Sequence, residues 1–143
     1  MPVRLSGRLA AIVDALPVEP HLRVLEIGCG PGAAARAVAA RLTTGHILAT
    51  DRSARAIAQA RTACAVEIAT GRLSLRQVAA EDLALEPGEE PFDLVFAVRV
   101  GALDGRHPEA GRAALRRIAA VTAPGARLFV DGRETPLAPD AGQ

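Results

Sequence analysis

Three alternating glycines, Gly28, Gly30 and Gly32, directly follow a short apolar run of the chain. Because glycine has no side chain, such a cluster lets a ligand approach the backbone closely. One carboxylate, Glu26, lies just before the cluster, and a second, Asp51, ends the next apolar run. Three alternating glycines after a strand exceed what a tight turn ahead of a closely packed helix requires. The spacing therefore predicts a turn that binds a ligand.

Two kinds of ligand compete for this turn. Residues 28–33 match the dinucleotide fingerprint Gly-x-Gly-x-x-Ala, and Asp51 lies suitably downstream, which is the pattern of an NAD-binding domain. Glu26 and Pro31 disfavour that ligand, because a carboxylate is a poor neighbour for a pyrophosphate and proline lacks a backbone N–H donor. A ligand with an ammonium or sulfonium group near the glycines and a ribose near Asp51 fits better.

A second group of reactive side chains, Arg99, Asp104 and His107, follows a later apolar run. Histidine titrates near neutral pH and can act as a general base, which makes His107 a candidate, although its place before Pro108 favours a role at a helix start. Arg99 is a candidate for holding an acidic substrate or for pairing with Asp104. No His or Cys has partners at ligand spacing, so we expect no metal.

The elements that position these residues alternate along the chain. Apolar runs predict strands at 22–27, 46–50, 92–98 and 127–130, and an alternating pattern predicts one at 73–78. Helical patterns cover 4–16 (the N-terminal helix, within residues 1–20), 33–42, 53–69 and 108–122. Alternation of this kind, with strands that are continuous apolar runs, predicts a doubly wound parallel sheet of the α/β class in one domain, 1–143. Residues 132–143 are expected to form a loose tail.

Residues 24–32, Val-Leu-Glu-Ile-Gly-Cys-Gly-Pro-Gly, resemble the first motif of class I S-adenosylmethionine-dependent methyltransferases, which have a Rossmann-like fold. The resemblance covers about residues 22–131, and this first motif is its most specific part. Later segments that resemble the family are Asp51, 80–83, 92–96 and 116–128.

The resemblance implies a role for each matching residue. Glu26 would anchor the methionine end of the cofactor, and Asp51 would accept its ribose hydroxyls, with a helix-capping aspartate as the alternative. The family often carries an Asp for the adenine amino group where this chain has Ala79, so that role moves to the backbone of Ala80 and to Glu81. The predicted cofactor-binding residues are Glu26, Gly28, Cys29, Gly30, Gly32, Asp51, Arg52, Ala80, Glu81, Ala97 and Val98.

Cys29 admits two interpretations. A thiol near a helix N-terminus can have a lowered pKa, whereas a variable position inside a glycine motif suits a small filler residue.

The family's sheet usually has seven strands, the last two forming a hairpin beside strand five. This chain is expected to have five, in the order 3-2-1-4-5, and to lack that hairpin. The apolar edge at 128–130 would then be exposed, so either the tail covers it or two copies pair there as a homodimer.

The composition indicates which kinds of partner the protein can bind. The formal net charge is +1, and the chain has no Trp or Tyr and three Phe, which makes a nucleic-acid partner unlikely on two counts. Apolar runs shorter than the roughly 20 residues of a membrane span, and an N-terminus without a signal-peptide layout, predict a cytoplasmic protein.

The resemblance implies methyl transfer from S-adenosylmethionine to a small-molecule acceptor, with S-adenosylhomocysteine as product. One alternative is a catalytically silent module that binds either ligand and supports a partner protein. The NAD-binding domain is the weaker alternative.

Overall fold

The computed structural model describes residues 5–137, in which helices and strands alternate. The helices are α1 (Gly7–Ala15), α2 (Ala33–Ala39), α3 (Ala54–Ala63), α4 (Ala65–Ala69) and α5 (Pro108–Ala120). The strands are β1 (Arg23–Ile27), β2 (His46–Asp51), β3 (Leu73–Gln77), β4 (Phe92–Ala97), β5 (Thr122–Val130) and β6 (Arg133–Thr135). The α/β class predicted from the sequence is confirmed.

The strands form one sheet in the order β3-β2-β1-β4-β5-β6. The first five run parallel, as predicted, and β6 is antiparallel to β5. The order reverses between β1 and β4, so the connections after these two strands leave in opposite directions. In sheets of this kind the crevice beyond the carboxyl ends at the reversal point is where ligands bind.

The central strands are buried on both faces, which explains their continuous apolar sequence. Alternate residues of β1 enter separate cores: Val24 packs with α1, α2 and α3, and Leu25 packs on the other face with α5. The buried face of α2 is mostly alanine, so this helix approaches the sheet closely. Close packing of α2 fixes the glycine turn that precedes it.

The single helix predicted over 53–69 is wrong, because the chain breaks at Cys64 into α3 and α4. Its predicted start is confirmed, since Ser53 caps α3 by accepting a hydrogen bond from the N–H of Ala56 at 3.1 Å. Cys64 leaves the helical conformation where its fully buried thiol donates to the carbonyl of Gly32 at 3.6 Å. A long-range contact thus coincides with a break for which the local sequence, rich in helix formers, carries no signal.

The prediction of five strands without a C-terminal hairpin is also wrong. Asp131 and Gly132 both adopt positive φ, 52° and 84°, and reverse the chain so that β6 pairs with Leu128–Val130. An Asp-Gly pair is a preferred two-residue hairpin turn, because its twist matches that of the flanking strands. The expected exposed edge at 128–130 is therefore covered by β6. The rest of the predicted tail, 138–143, and residues 1–4 lie outside the described residues.

Within the described chain, no helix is long and apolar enough to cross a membrane.

Candidate functional site

The glycine turn after β1 has left-handed backbone, with φ of 74° at Gly28 and 92° at Gly32. A Cβ at Gly32 would lie 2.7 Å from the sulfur of Cys64, and one at Gly28 would lie 2.5 Å from Cγ2 of Val100. Real Cβ atoms do not approach so closely, so glycine is required at both positions. Gly32 serves the packing of α2 on the α3–α4 junction, whereas Gly28 lies at the open end of the sheet.

Glu26 is the buried charged side chain of the core, with 3% of its surface exposed. Its Oε1 atom has no hydrogen-bond partner among residues 5–137. Burial, and then the nearby charge of Asp51, raise the pKa of Glu26 to about 8. A buried carboxylate without a partner destabilises the protein unless a cation or donor reaches it. The structure thus holds a site in β1 that favours a positively charged ligand group.

Asp51 connects the glycine turn to the start of α3. Its Oδ2 accepts the N–H of Gly30 at 2.9 Å, and its Oδ1 accepts the N–H of Ser53 at 2.9 Å. The side-chain cap of α3 is Ser53 and not Asp51. Each carboxylate oxygen can accept a second hydrogen bond, so these contacts orient Asp51 and leave it able to bind two ligand hydroxyls.

Two cavities open at the carboxyl end of the sheet and share Gly28 and Arg99 in their walls. The larger, about 540 Å³, is called here the first cavity. Its lining residues are Ile27, Gly28, Asp51, Arg52, Val78, Ala79, Ala80, Glu81, Arg99, Val100, Gly101, Ala102, Arg106, His107 and Ala110. The second cavity, about 420 Å³, is lined by Ser6, Arg8, Leu9, Glu26, Gly28, Cys29, Pro31, Ala33, Ala34, Val98 and Arg99.

The two cavities bring together most of the residues predicted from sequence. Four predicted residues line neither: Gly30, Gly32, Ala97 and Asp104. Gly30 lies directly beneath the site, donating to Asp51, and Ala97 is 1% exposed in the core at the end of β4. Val98, the next residue, is the one that reaches the second cavity.

A lowered pKa at Cys29 is contradicted. Burial raises the pKa of this thiol, and the neighbouring carboxylates Glu26 and Asp51 raise it further. The thiol hydrogen-bonds to the carbonyl of Gly30 at 3.4 Å and is 6% exposed. Cys29 is therefore a small apolar filler of the cavity wall, the other interpretation of its position.

In the segment after β4, Arg99 does not pair with Asp104, which was one of the two alternatives for Arg99. Asp104 pairs instead with Arg106, whose Nε donates to both carboxylate oxygens at 2.9 Å, and this contact lowers the pKa of Asp104. The N–H of Arg99 donates to Asp131 at 2.8 Å, in the β5–β6 turn. His107 is the residue before the first turn of α5, as predicted from Pro108, and its side chain also lines the first cavity.

Several lining residues were missed from sequence. Arg106 was passed over between the candidates Asp104 and His107, although its charge was visible in the same segment. Ser6, Arg8 and Leu9 come from the start of α1, far from the glycine turn in sequence, and no local signal places that helix against β1. Among the described residues no group of three His, Cys, Asp or Glu side chains could hold a metal ion.

The donor set fits the cofactor that the resemblance implies. The unpartnered carboxylate of Glu26 suits an ammonium group, and Asp51 suits a ribose diol. The same buried carboxylate would repel the pyrophosphate of a dinucleotide.

Comparison with known proteins agrees with this fit. A family model described as "Methyltransferase domain" matches residues 24–125. Trans-aconitate 2-methyltransferase from Streptomyces avermitilis is 34% identical over 89 residues, which are 62% of this chain and 32% of that protein.

Two solved structures have the same fold. YcgJ from Bacillus subtilis has a TM-score of 0.70 at 21% identity, over 86% of this chain and 49% of its own. A SAM-dependent methyltransferase from Thiobacillus denitrificans, in complex with S-adenosyl-L-homocysteine, has a TM-score of 0.66 at 20% identity. The match covers 89% of this chain and 48% of that protein. The chain thus spans about a third of the curated relative and about half of each structure.

Proposed function

The chain belongs to the methyltransferase domain family, and on that premise we propose that it binds S-adenosylmethionine and transfers the methyl group to a small-molecule acceptor. The observation that carries the proposal is the buried carboxylate of Glu26, without a partner in the described chain, beside the glycine turn. No residue among 5–137 pairs with that carboxylate, whereas the ammonium group of the cofactor would neutralise it.

The residues that hold the cofactor follow from the cavity walls. Glu26 binds the methionine ammonium group in the second cavity, and Asp51 binds the ribose hydroxyls in the first. Gly28 lies in both walls, and its lack of a side chain leaves the ligand free to pass between them. Ala80 and Glu81 contact the adenine through a backbone N–H and a carboxylate. The remaining proposed contacts are Cys29, Arg52 and Val98, whereas Ala97 is buried at the end of β4 and supports the wall from behind.

When bound, the cofactor supplies a methyl group on a sulfonium, a good leaving group. The protein's contribution is then chiefly to hold the acceptor close and in line and to exclude water. Residues 99–102, 106 and 107 line the wall of the first cavity where an acceptor would sit. His107 is the residue there that can remove a proton from an acceptor that must lose one.

The curated relative gives a first acceptor to test, because its name contains trans-aconitate, a small organic acid. A silent module that binds the same ligands is the second candidate, and it differs only in the absence of turnover. NAD is disfavoured by Glu26, as above.

We further propose that the protein acts in the cytoplasm. A homodimer that forms through the sheet edge stays a prediction. Its interface would involve a different strand from the predicted edge at 128–130, because β6 covers that edge. The outer strand is now β6, which is short and carries exposed charged residues at Arg133 and Glu134. Such edges resist strand pairing. Light scattering of the full chain distinguishes monomer from dimer.

The test of the proposed function is calorimetric titration with S-adenosylmethionine, S-adenosylhomocysteine and NAD. We compare the unmodified protein with Glu26→Gln and with the matched control Glu19→Gln, which makes the same change at an exposed position. The proposal predicts binding of both adenosyl ligands, little binding of NAD, and a loss of about tenfold or more in Glu26→Gln alone, since each tenfold corresponds to about 1.4 kcal/mol.

Binding of NAD alone would overturn the proposal. Binding of the adenosyl ligands without transfer to any acceptor would favour the silent module. Transfer to trans-aconitate, followed with a labelled methyl group, would support the enzyme directly.

A further inference from the structure

The two walls of the first cavity differ in charge. The wall after β2 and β3, where the cofactor is proposed to bind, carries Asp51 and Glu81 together with one cation, Arg52. The wall between β4 and α5 carries Arg99, Arg106 and His107, and none of its lining residues is acidic. The first wall is assigned to the cofactor, and the second, basic wall has no assigned ligand.

Arg99 is the cation of that wall with a free guanidinium. Arg106 is already paired with Asp104 and also donates to the carbonyl of Arg99 at 3.3 Å. The side chain of Arg99 has no hydrogen bond or ion pair to any residue of the described chain, and it lies where the two cavities meet. The methyl group of a cofactor spanning both cavities would have to lie near this junction.

The backbone of Arg99 is held in a conformation that a non-glycine residue seldom adopts, with φ of 59°. A non-glycine residue in this conformation is strained. Two hydrogen bonds hold it there: its N–H donates to the carboxylate of Asp131 at 2.8 Å, and the N–H of Asp131 donates to the carbonyl of Ala97 at 2.9 Å. The hairpin turn thus fixes where the side chain of Arg99 begins, and strain of this kind clusters at ligand sites.

The start of α5 adds to the same wall. His107 precedes the helix and provides no side-chain cap. The first-turn residue Ala110 lines the cavity. An uncapped amino end of a 13-residue helix favours a negative charge beside it. The acidic residue of this turn, Glu109, is not in the cavity wall.

We propose that the acceptor carries a carboxylate group, which the guanidinium of Arg99 binds in the first cavity next to the amino end of α5. The proposal rests on the proposed function, and it adds the class of acceptor to it. Arg99 is an acceptor-binding residue, since its guanidinium can form two parallel hydrogen bonds with a carboxylate.

The test measures binding of organic acids to the protein saturated with S-adenosylhomocysteine. The probes are trans-aconitate and citrate, with triethyl citrate as the uncharged counterpart. The variants are Arg99→Gln and, as a matched control, Arg112→Gln, which removes the same charge from an exposed position of α5 outside both cavities. Arg99→Lys keeps the charge without the planar fork.

We expect at least one acid to bind and the triester not to bind. Arg99→Gln should weaken binding of the acid by about tenfold or more, because it removes a charge-assisted hydrogen bond. The affinity of Arg99→Lys for the acid should lie between those of Arg99→Gln and the unmodified protein. The affinity of Arg112→Gln should equal that of the unmodified protein. Where transfer is measurable, Arg99→Gln should raise KM for the acid more than it lowers kcat.

The two proposals fail separately. If S-adenosylhomocysteine does not bind the unmodified protein, the proposed function is wrong. The acceptor class is wrong, and the proposed function stands, if S-adenosylhomocysteine binds equally well to the unmodified protein and to Arg99→Gln and any of three results is found. These results are that no acid binds, that the triester binds as well as citrate, or that Arg99→Gln does not weaken binding of the acid.

Discussion

Replacement of Glu26 by glutamine should stabilise the protein without ligand. The folded protein holds this carboxyl with a pKa of about 8, against an ordinary value of 4.5, because it is buried and lies near Asp51. Glutamine keeps nearly the same shape and carries no charge. The variant therefore removes the cost of protonating this carboxyl below about pH 8 and of burying it ionised above that pH.

The sign and size of the effect follow from linkage. Because folded Glu26 binds its proton more tightly than the unfolded chain does, the folded state holds more protons between pH 4.5 and about 8. The free energy of unfolding of the unmodified protein therefore falls as the pH rises through this window. At about 1.4 kcal/mol for each unit between the two pKa values, the cost is about 3 kcal/mol at pH 7 and approaches about 5 kcal/mol above pH 8.

The assay is urea unfolding at several pH values from about 5 to 8.5, with the unmodified protein, Glu26→Gln and Glu19→Gln. The difference between Glu26→Gln and the unmodified protein should be under about 1 kcal/mol near pH 5 and should grow to several kcal/mol at pH 8.5. Other titrating groups are common to all three proteins and cancel in the comparison. Glu19→Gln should follow the unmodified protein throughout.

A constant difference over this pH range would refute the reasoning, since it would mean that Glu26 titrates normally in the folded protein. The same variant should lose affinity for S-adenosylhomocysteine. A gain in stability with a loss of binding is the signature of a charge kept for its ligand.

Three further predictions follow from the same site. Asp51→Ala should lower the free energy of unfolding by about 1–3 kcal/mol, measured in urea, because the N–H of Gly30 loses its acceptor. Gly32→Ala should lower the free energy of unfolding by about 2–4 kcal/mol, and Gly30→Ala should lower it by about 1 kcal/mol less, because both positions have positive φ but only the Cβ at position 32 meets Cys64. Equal losses would contradict the packing role of Gly32. Cys29 should resist alkylation by iodoacetamide in the folded protein at about pH 7.5 and react after denaturation, followed by mass spectrometry, because burial raises its pKa; rapid modification of the folded protein would contradict this.

Much of the fold was predictable because its signals are local. Apolar runs over β1, β2 and β4 mark strands covered on both faces, an alternating pattern marks the edge strand β3, and the glycines and Ser53 mark turns and a cap. The Asp131-Gly132 pair is also a local hairpin signal, but the prolines that follow it in the sequence favour a loose tail, which conceals β6.

The break at Cys64 and the pairing of Asp104 with Arg106 had no usable local signal. The helix breaks where the thiol of Cys64 contacts the carbonyl of Gly32 in the glycine turn, although Cys64 lies inside a run of helix formers. Asp104 had more than one possible arginine partner in its own segment, and only the path of the loop selects Arg106.

Local sequence is enough to identify the charged residues beside the glycine turn, because a strand end and its following turn are contiguous in the chain. The chemical behaviour of those residues depends on tertiary contacts. Burial among the neighbouring strands and helices leaves Glu26 unpartnered and raises its pKa, and the β5–β6 turn, far along the chain, fixes Arg99 at the junction of the two cavities. Solvent exclusion and contacts between distant segments are properties of the packed molecule, and no local spacing encodes them.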